Sequence, residues 1–518
     1  MSAPEEITPA PAVLIVGAGP AGLFAACELL RQGVRPRIVE RRLTSHHEAR
    51  GTVLQPAVLE IIDRAGLIEP FLCAGVRIKR IQLLGPGLQE IATTHFAGTG
   101  CRYEFQCSLP QWRTEAVLRN HLKSLGVEVE FGTELTSIEN EPAGLRVTLD
   151  AGGRTEIFKT GYVLDGGGAH SVTRHSMHEH LEGDTYDGRY IVADVKVRSP
   201  CPAECGRVIV GPEGFVLFSP LPEERWLIFV NRGEADTQPE LPTLDELGAL
   251  ITSRTGVDFG LHDLKWVSYF KMYNRAAERL SDDRRFLLGD AAHLSSPLAA
   301  EGLNAALMDA ADIAWKLALV MRGAAKPSLL DSYAIERGLA DRHVLEVSDE
   351  AHRLVMGLIT TCAGGRLPVL QPGNPAQNVA KVRRRLMLDV SYAGSPLVGE
   401  AGVVVEGPSP GERFPARLRL NDIGHHLIVF GDVPCLDRLR KRWGKLISIV
   451  DASSAHFDTA EVGAPNDGAI LVRPDGFIGF RAIPADEKTM AALDAHVATY
   501  LVPDAGADDR TGDDRPHG

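Results

Sequence analysis

The segment VLIVGAGPAGLFAACELLRQGVRPRIVE runs from Val13 to Glu40 and changes its periodicity twice. Ala12 to Val16 is a short apolar run, followed at once by Gly17-Ala18-Gly19-Pro20-Ala21-Gly22 and then by an apolar stripe through Leu23, Ala26 and Leu30. That order predicts strand, tight turn and helix, and after Gln32-Gly33 the run Arg37-Ile38-Val39-Glu40 predicts a second strand. The glycines let the backbone turn sharply and approach a pyrophosphate seated at the helix N-terminus, where Pro20 and Ala21 open the helix. Glu40, ending the second strand, can accept both hydroxyls of a ribose. It would repel a ribose 2′-phosphate, which disfavours NADP at this site and leaves NAD and FAD.

A second segment, GDAAHLSSPLAAEGLNAAL from Gly289 to Leu307, bears on that choice. Arg285 to Asp290 reads as a buried strand ending in a turn at Gly289, and Pro297 stands in a loop of small residues. A helix is expected from near Glu301, with Leu303, Ala306, Leu307, Ala310, Ala314, Leu317 and Met321 on one face. Its unsatisfied N–H groups, on Gly302, Leu303 and Asn304, form an anion site at a positive dipole end. An NAD dehydrogenase has little need of a second such site. A flavin, whose ring becomes negative on reduction, needs one, and FAD is long enough to join the two.

Composition sets the outer bounds. The chain has 518 residues, 44% hydrophobic and 24% charged, which are ordinary globular values. Its 68 acids against 55 bases give a net charge of −13, which argues against nucleic acid as a partner. The first residues lack the pattern of a signal peptide and no apolar run suits a membrane span, so a cytoplasmic protein is expected. Eight scattered cysteines without a C-x-x-C read as reduced, small hydrophobes.

GAGPAGL with VERR, the QWRTE segment at Gln111, and GDAAHLSSPLAAEGLN followed by DAADIAWKLA together resemble the class A FAD-dependent aromatic hydroxylases, among them phenol hydroxylases and aromatic polyketide hydroxylases. The likeness covers essentially the whole chain. It implies an α/β Rossmann-type FAD-binding domain, an antiparallel-sheet substrate domain and a C-terminal thioredoxin-like domain. It further implies Glu40 on the adenosine ribose, Arg41 and Arg50 near ribose and pyrophosphate, Gln111 and Arg113 along the ribityl and phosphate portion, and Leu135 by the adenine. Asp290 would take a ribityl hydroxyl, Pro297 would lie beside the isoalloxazine, and the Leu303 and Asn304 amides would meet its pyrimidine edge.

Two departures stand out against the family pattern. The usual Gly-(Ala/Cys)-Asp-Gly ahead of Ser171 and Arg174 is here Asp165-Gly166-Gly167-Gly168, so either Asp165 substitutes or the contact is missing. The usual Gly-Gly-Gln-Gly is Ala299-Ala300-Glu301-Gly302, which adds two Cβ atoms and a carboxyl. A charged Glu301 would oppose negative charge building on the flavin, or serve simply as a helix cap.

The domain order expected is an FAD-binding first part over 1–185 with a sheet excursion near 76–100, a substrate sheet over 186–270, and the second FAD-binding part with helices over 271–394. A thioredoxin-like domain over 395–503, with Cys435 as its only cysteine, and a disordered tail over 504–518 complete it. Phe218 and Phe229, in strands Phe215–Phe218 and Trp226–Val230, are the substrate candidates together with Pro297. Catalytic side chains are not assignable, and no metal is expected: the histidines of HSMHEH, His175, His178 and His180, match no zinc spacing. No nucleophile elbow and no halogenase-type W-x-W-x-I-P occur.

The function expected is NAD(P)H- and O2-dependent hydroxylation of a phenolic or polyketide-like aromatic through a C4a-hydroperoxyflavin. NADPH or NADH would visit transiently, since only one dinucleotide fingerprint exists. Epoxidation, Baeyer–Villiger insertion, and a structural use of FAD in a non-redox binding or cyclisation role stay open, as does the assembly, a homodimer included.

Overall fold

The structure is a computed structural model that describes residues 12–45, 51–186, 188–198, 202–233, 240–366, 375–415, 423–453, 462 and 467–504. The expected tail beyond Asp504 and the cofactor candidate Arg50 lie outside the described residues. The chain divides into two compact units, one of residues 1–314 with 337–390, the other of 315–336 with 391–518.

In the first unit the strand Val13–Val16 sits at the centre of a five-stranded, all-parallel sheet, between Tyr162–Asp165 and Arg37–Glu40. Arg285–Leu287 and Val129–Phe131 form its edges. Its central strand is apolar along its length because both faces of such a sheet are covered. The helix Pro20–Arg31 starts where the sequence puts it: Gly19 is the extended N-cap and Pro20 the first residue, so the missing proline N–H costs no hydrogen bond.

A second, seven-stranded sheet gathers 189–196, 205–211, 214–221, 225–233 and 262–270 with two strands from earlier in the chain, Arg80–Leu84 and Glu90–His95. Its register separates two faces. Ile81, Gly206, Ser219, Leu227 and Trp266 share one cross-strand row, and Val208, Leu217, Phe229, Val192 and Ser268 share the next row on that same face. The intervening row of Phe218, Ile228, Ala193 and Val267 points to the other side. There the helix Leu244–Thr255, held by a Thr243/Glu246 capping box and ended by Gly256 at φ 73°, packs Leu247 and Ile251 against it. Val355 and Leu358 of the helix Ser332–Ala363 cover part of the first face.

The helix Gly302–Met321 was expected to bury one face, but nearly its whole circumference is buried. Its alanines allow close approach on every side, and its polar members find partners: Asp309 pairs with Arg337, and Lys316 donates to Glu336 at 2.6 Å.

In the second unit a five-stranded mixed sheet has the order 399–402, 478–483, 468–472, 425–430, 447–451. The strands His425–Phe430 and Ile447–Asp451 are parallel and joined through the helix Leu436–Trp443; Gly468–Val472 and Ile478–Ile483 follow as antiparallel neighbours, and the helix Glu487–Tyr500 closes the unit. Among the described residues no helix is long and apolar enough to cross a membrane.

Candidate active site

One cavity of about 660 Å³ in the first unit runs from the glycine turn to the first face of the seven-stranded sheet. Of the expected site residues it is bordered by Gly19, Pro20, Ala21, Glu40, Arg41, Gln111, Phe218, Phe229, Gly289, Asp290, Pro297, Gly302 and Leu303. Gly17, Gly22, Arg113, Leu135 and Asn304 do not border it.

The three glycines of the fingerprint do different work. Gly17, at φ 90°, presses on the chain: a Cβ there would stand 2.5 Å from the Gly166 carbonyl oxygen. A Cβ on Gly22 would stand 2.0 Å from the Gly17 carbonyl oxygen, so this glycine closes the helix onto its turn. Gly19 alone has nothing within 4 Å of the position a Cβ would take, and it borders the cavity. The space left open there is what a pyrophosphate approaching the backbone requires. Glu40 accepts from the Ala18 amide at 2.9 Å and from the Arg42 amide at 3.0 Å, which aims its carboxylate along the turn.

Gln111 accepts from the Gly51 amide at 3.3 Å and donates to Glu115 at 2.9 Å. Arg113 instead pairs with Glu223 and lies 5.0 Å from the Trp112 ring centre. Leu135 is buried in a cluster with Leu14, Val39 and Val147. Asp165 does not stand in for the displaced family acid at the cavity. Its carboxylate is fully buried, accepting from the Gly167 amide at 2.6 Å and the Ser171 hydroxyl at 2.8 Å, and it is the backbone of Gly166–Ala169 that borders the cavity.

At the other nucleotide-facing segment, Gly289 takes φ 55° and donates its N–H to Asp309 at 2.8 Å. His293 meets the same carboxylate oxygen at 2.9 Å, and Arg337 donates to the other at 2.6 Å. Burial pulls the His293 imidazole down, but Asp341 and Asp309 outweigh it and push it up to about 9. The Gly289–Asp290 turn is thus held from behind by a buried charge cluster. Asn304 acts as a clamp: its side chain accepts from the Gln55 amide at 2.7 Å and donates to Val53 at 2.9 Å and Ala300 at 2.8 Å. Ala300 sits at φ 56°, a left-handed conformation that glycine adopts more easily.

Glu301 corrects two expectations. It caps nothing, because neither of its carboxyl oxygens has a hydrogen-bond partner, and it is fully buried. Burial holds its pKa well above the usual carboxylate range, with Asp389 and Glu350 adding to the rise and Arg384 and Arg385 opposing it. That rise disfavours the charged form, and so weakens the repulsion expected of a carboxylate beside a ring gaining charge.

At the sheet end the cavity meets Ile81, Val192, Leu217, Leu227, Phe229 and Trp266, with Ser219 and Ser268 as polar members of the two rows that border it. Phe218 borders the cavity, yet its ring lies in the cluster on the far face, 4.6 Å from that of Phe259. Phe229 is on the cavity face, stacked on Tyr190 at 5.3 Å. The wall residues Trp266 and Phe270 and the backbone of Gly51–Val53 were not anticipated. Strand alternation could have flagged the aromatics, whereas nothing local marks Gly51–Val53.

A glycine-rich βαβ turn, an acid ending the second strand and a second helix N-terminus along one cavity define a dinucleotide-binding flavoprotein, and the residues fit FAD: the open space at Gly19 is what its pyrophosphate would need, and the first-turn amides of the second helix are donors that its ring would need. Comparison carries this to the family level. The chain belongs to the FAD binding domain family, whose model matches residues 11–348, and to its flavin-dependent monooxygenases. It is 30% identical to 6-methylpretetramide 4-monooxygenase of Streptomyces rimosus, over 98% of this chain and 97% of that protein. Dialkyldecalin synthase of Streptomyces rugosporus is 28% identical over 95% of this chain and 99% of its own. The solved structure of an anhydrotetracycline hydroxylase from Streptomyces rimosus superposes with a TM-score of 0.76 at 25% identity, covering 95% of this chain and 99% of that one.

Proposed function

We propose that this chain hydroxylates a flat, phenolic or polyketide-like aromatic with O2, its FAD being reduced by NADPH or NADH. The observation that carries the reading is the single cavity joining the nucleotide turn to an apolar, aromatic-walled sheet face. FAD supplies the oxygen-transfer chemistry when bound. The protein binds the nucleotide through Gly19, Glu40 and Asp290, and Leu217, Phe229 and Trp266 exclude water around the substrate. Ser219 and Ser268 orient it by hydrogen bonds, and Pro297 lies on the same path. With only one glycine fingerprint, the nicotinamide cofactor is a visitor.

The strand order and directions of the second unit support reading it as a thioredoxin-like fold. Its lone cysteine, Cys435, rules out dithiol exchange there. In domain terms we assign 1–185 and 271–394 to FAD binding, 186–270 with the strands at 80–95 to substrate, and 395–503 to the third domain.

The test is anaerobic mixing with NADPH and with NADH in a stopped-flow spectrometer, with and without phenolic polycycles, followed by oxygen and product mass. Bleaching of the flavin band that aromatic ligands accelerate, and a product heavier by one oxygen atom, are expected. No bleaching under any ligand, with the ligand nonetheless converted, would establish a non-redox role. The methyl groups of Ala299 and Ala300 favour that second reading, since they narrow the space in which a ring could shift.

A further inference from the structure

The loop that ends at the helix Gly302–Met321 carries a carboxyl group left without a partner. Glu301 is the N-cap residue of this helix: its carbonyl accepts the first intrahelical bond, from the Ala305 amide at 2.8 Å. An N-cap side chain ordinarily accepts from the amides two or three residues on, here Leu303 and Asn304. It does not do so, and among the described residues the amides of Gly302, Leu303 and Asn304 have no acceptor. The carboxyl is instead sealed, exposing none of its surface, while Glu301, Gly302 and Leu303 all border the cavity. A buried polar group without a partner calls for an explanation. A helix N-terminus whose own cap stands aside offers one: its donors are reserved for a ligand.

We propose that Glu301 is a proton-coupled positioning residue, which in its neutral form leaves the first-turn amides to a carbonyl or anionic ring edge in the cavity and, once it loses its proton to solvent, caps them itself and displaces that edge. One proton is exchanged for one hydrogen-bonded ligand edge, and no bond to carbon changes. The charged groups facing Glu301 are Glu350 on the helix Ser332–Ala363, Arg384 and Arg385 at the end of the helix Pro375–Arg385, and Asp389 after it. The two acids favour retention of the proton and the two arginines favour its loss. The position of Glu301 beside the helix end gives the ionised group a further place to go, because a carboxylate there is stabilised by the first-turn amides. The identity of the edge rests on the flavoprotein reading; it can belong to FAD or to a carbonyl of the aromatic substrate.

The experiment uses the full chain, with FAD and after FAD has been removed, as wild type, Glu301→Gln and Glu301→Ala. In the FAD-free protein, infrared spectroscopy at neutral pH should show a protonated-carboxyl band that Glu301→Gln lacks. As pH rises, exchange of the Gly302–Asn304 amides, corrected for its intrinsic pH dependence, should slow about tenfold or more in the wild type and stay unchanged in Glu301→Gln. FAD affinity should fall by about tenfold per pH unit above the carboxyl pKa in the wild type and stay level in Glu301→Gln and Glu301→Ala. If FAD affinity is level and that of an aromatic ketone for the holoprotein carries the slope, the edge belongs to the substrate. Identical pH profiles of wild type and Glu301→Gln in exchange and in both affinities, or no protonated band, overturn the proposal. Failure to bind FAD at any pH would overturn the flavoprotein reading instead, and amide exchange would still decide this one.

Discussion

At the scale of single residues, the site depends on where an added or missing atom matters. A Cβ at Gly19 meets no protein atom within 4 Å, so Gly19→Val should fold with an unchanged thermal midpoint yet bind FAD at least tenfold more weakly, about 1.4 kcal/mol, in a fluorescence titration. A variant that lost stability and kept its affinity would show that the open space is not the pyrophosphate's. Ala300 makes the opposite case. It holds φ 56°, where a non-glycine residue carries a strain of roughly 1–2 kcal/mol, and the family glycine is absent. Ala300→Gly should therefore stabilise the protein by up to about 1 kcal/mol in chemical denaturation, glycine's own flexibility offsetting part of the relief. Equal or lower stability would mean that the Asn304 clamp, and not the missing Cβ, determines this conformation.

At the scale of elements, the register of the seven-stranded sheet separates two phenylalanines that the sequence treats alike. Phe218→Ala opens a hole between the sheet and the helix Leu244–Thr255 and should cost about 3–5 kcal/mol of stability. Phe229→Ala, on the cavity face, should in addition raise the KM for aromatic ligands several-fold; steady-state kinetics beside denaturation curves separates the two. The turn at Gly289 gives a pH prediction. The folded pKa of His293, about 9, lies above its ordinary 6.5, so the ion pairing contributes fully below pH 6.5 and is lost as pH rises through about 9. The gap in thermal midpoint between wild type and His293→Gln should accordingly shrink from pH 6.5 to pH 9, and a constant gap would mean that the imidazole stays neutral.

At the scale of the whole molecule, each unit has its own core and its own buried charges. In the second, Glu336 receives Lys316 at 2.6 Å and Arg473 at 2.8 Å, all three without exposed surface. Burial alone would raise the Glu336 pKa, but Arg473 and Lys316 hold it far below the usual carboxylate range. Glu336→Ala removes the carboxylate that two buried cations share, Arg473 keeping Asp475, and should cost about 3–5 kcal/mol by calorimetry. The sequence by itself determined the βαβ turn, the acid at its second strand, the second helix N-terminus and hence FAD, because each is written within some thirty consecutive residues. Family likeness supplied the chemistry in the same way, through local motifs. Only the tertiary structure decided which of Phe218 and Phe229 faces the cavity, since adjacent apolar residues in a doubly covered sheet lack the polar alternation that would orient them. The same holds for Arg113, drawn away to Glu223, and for Asp165, turned inward to Ser171. The upward shift of the Glu301 carboxyl was likewise beyond the sequence: a carboxyl holds or loses its proton according to what surrounds it, and its charged surroundings come from segments some fifty to ninety residues further along the chain.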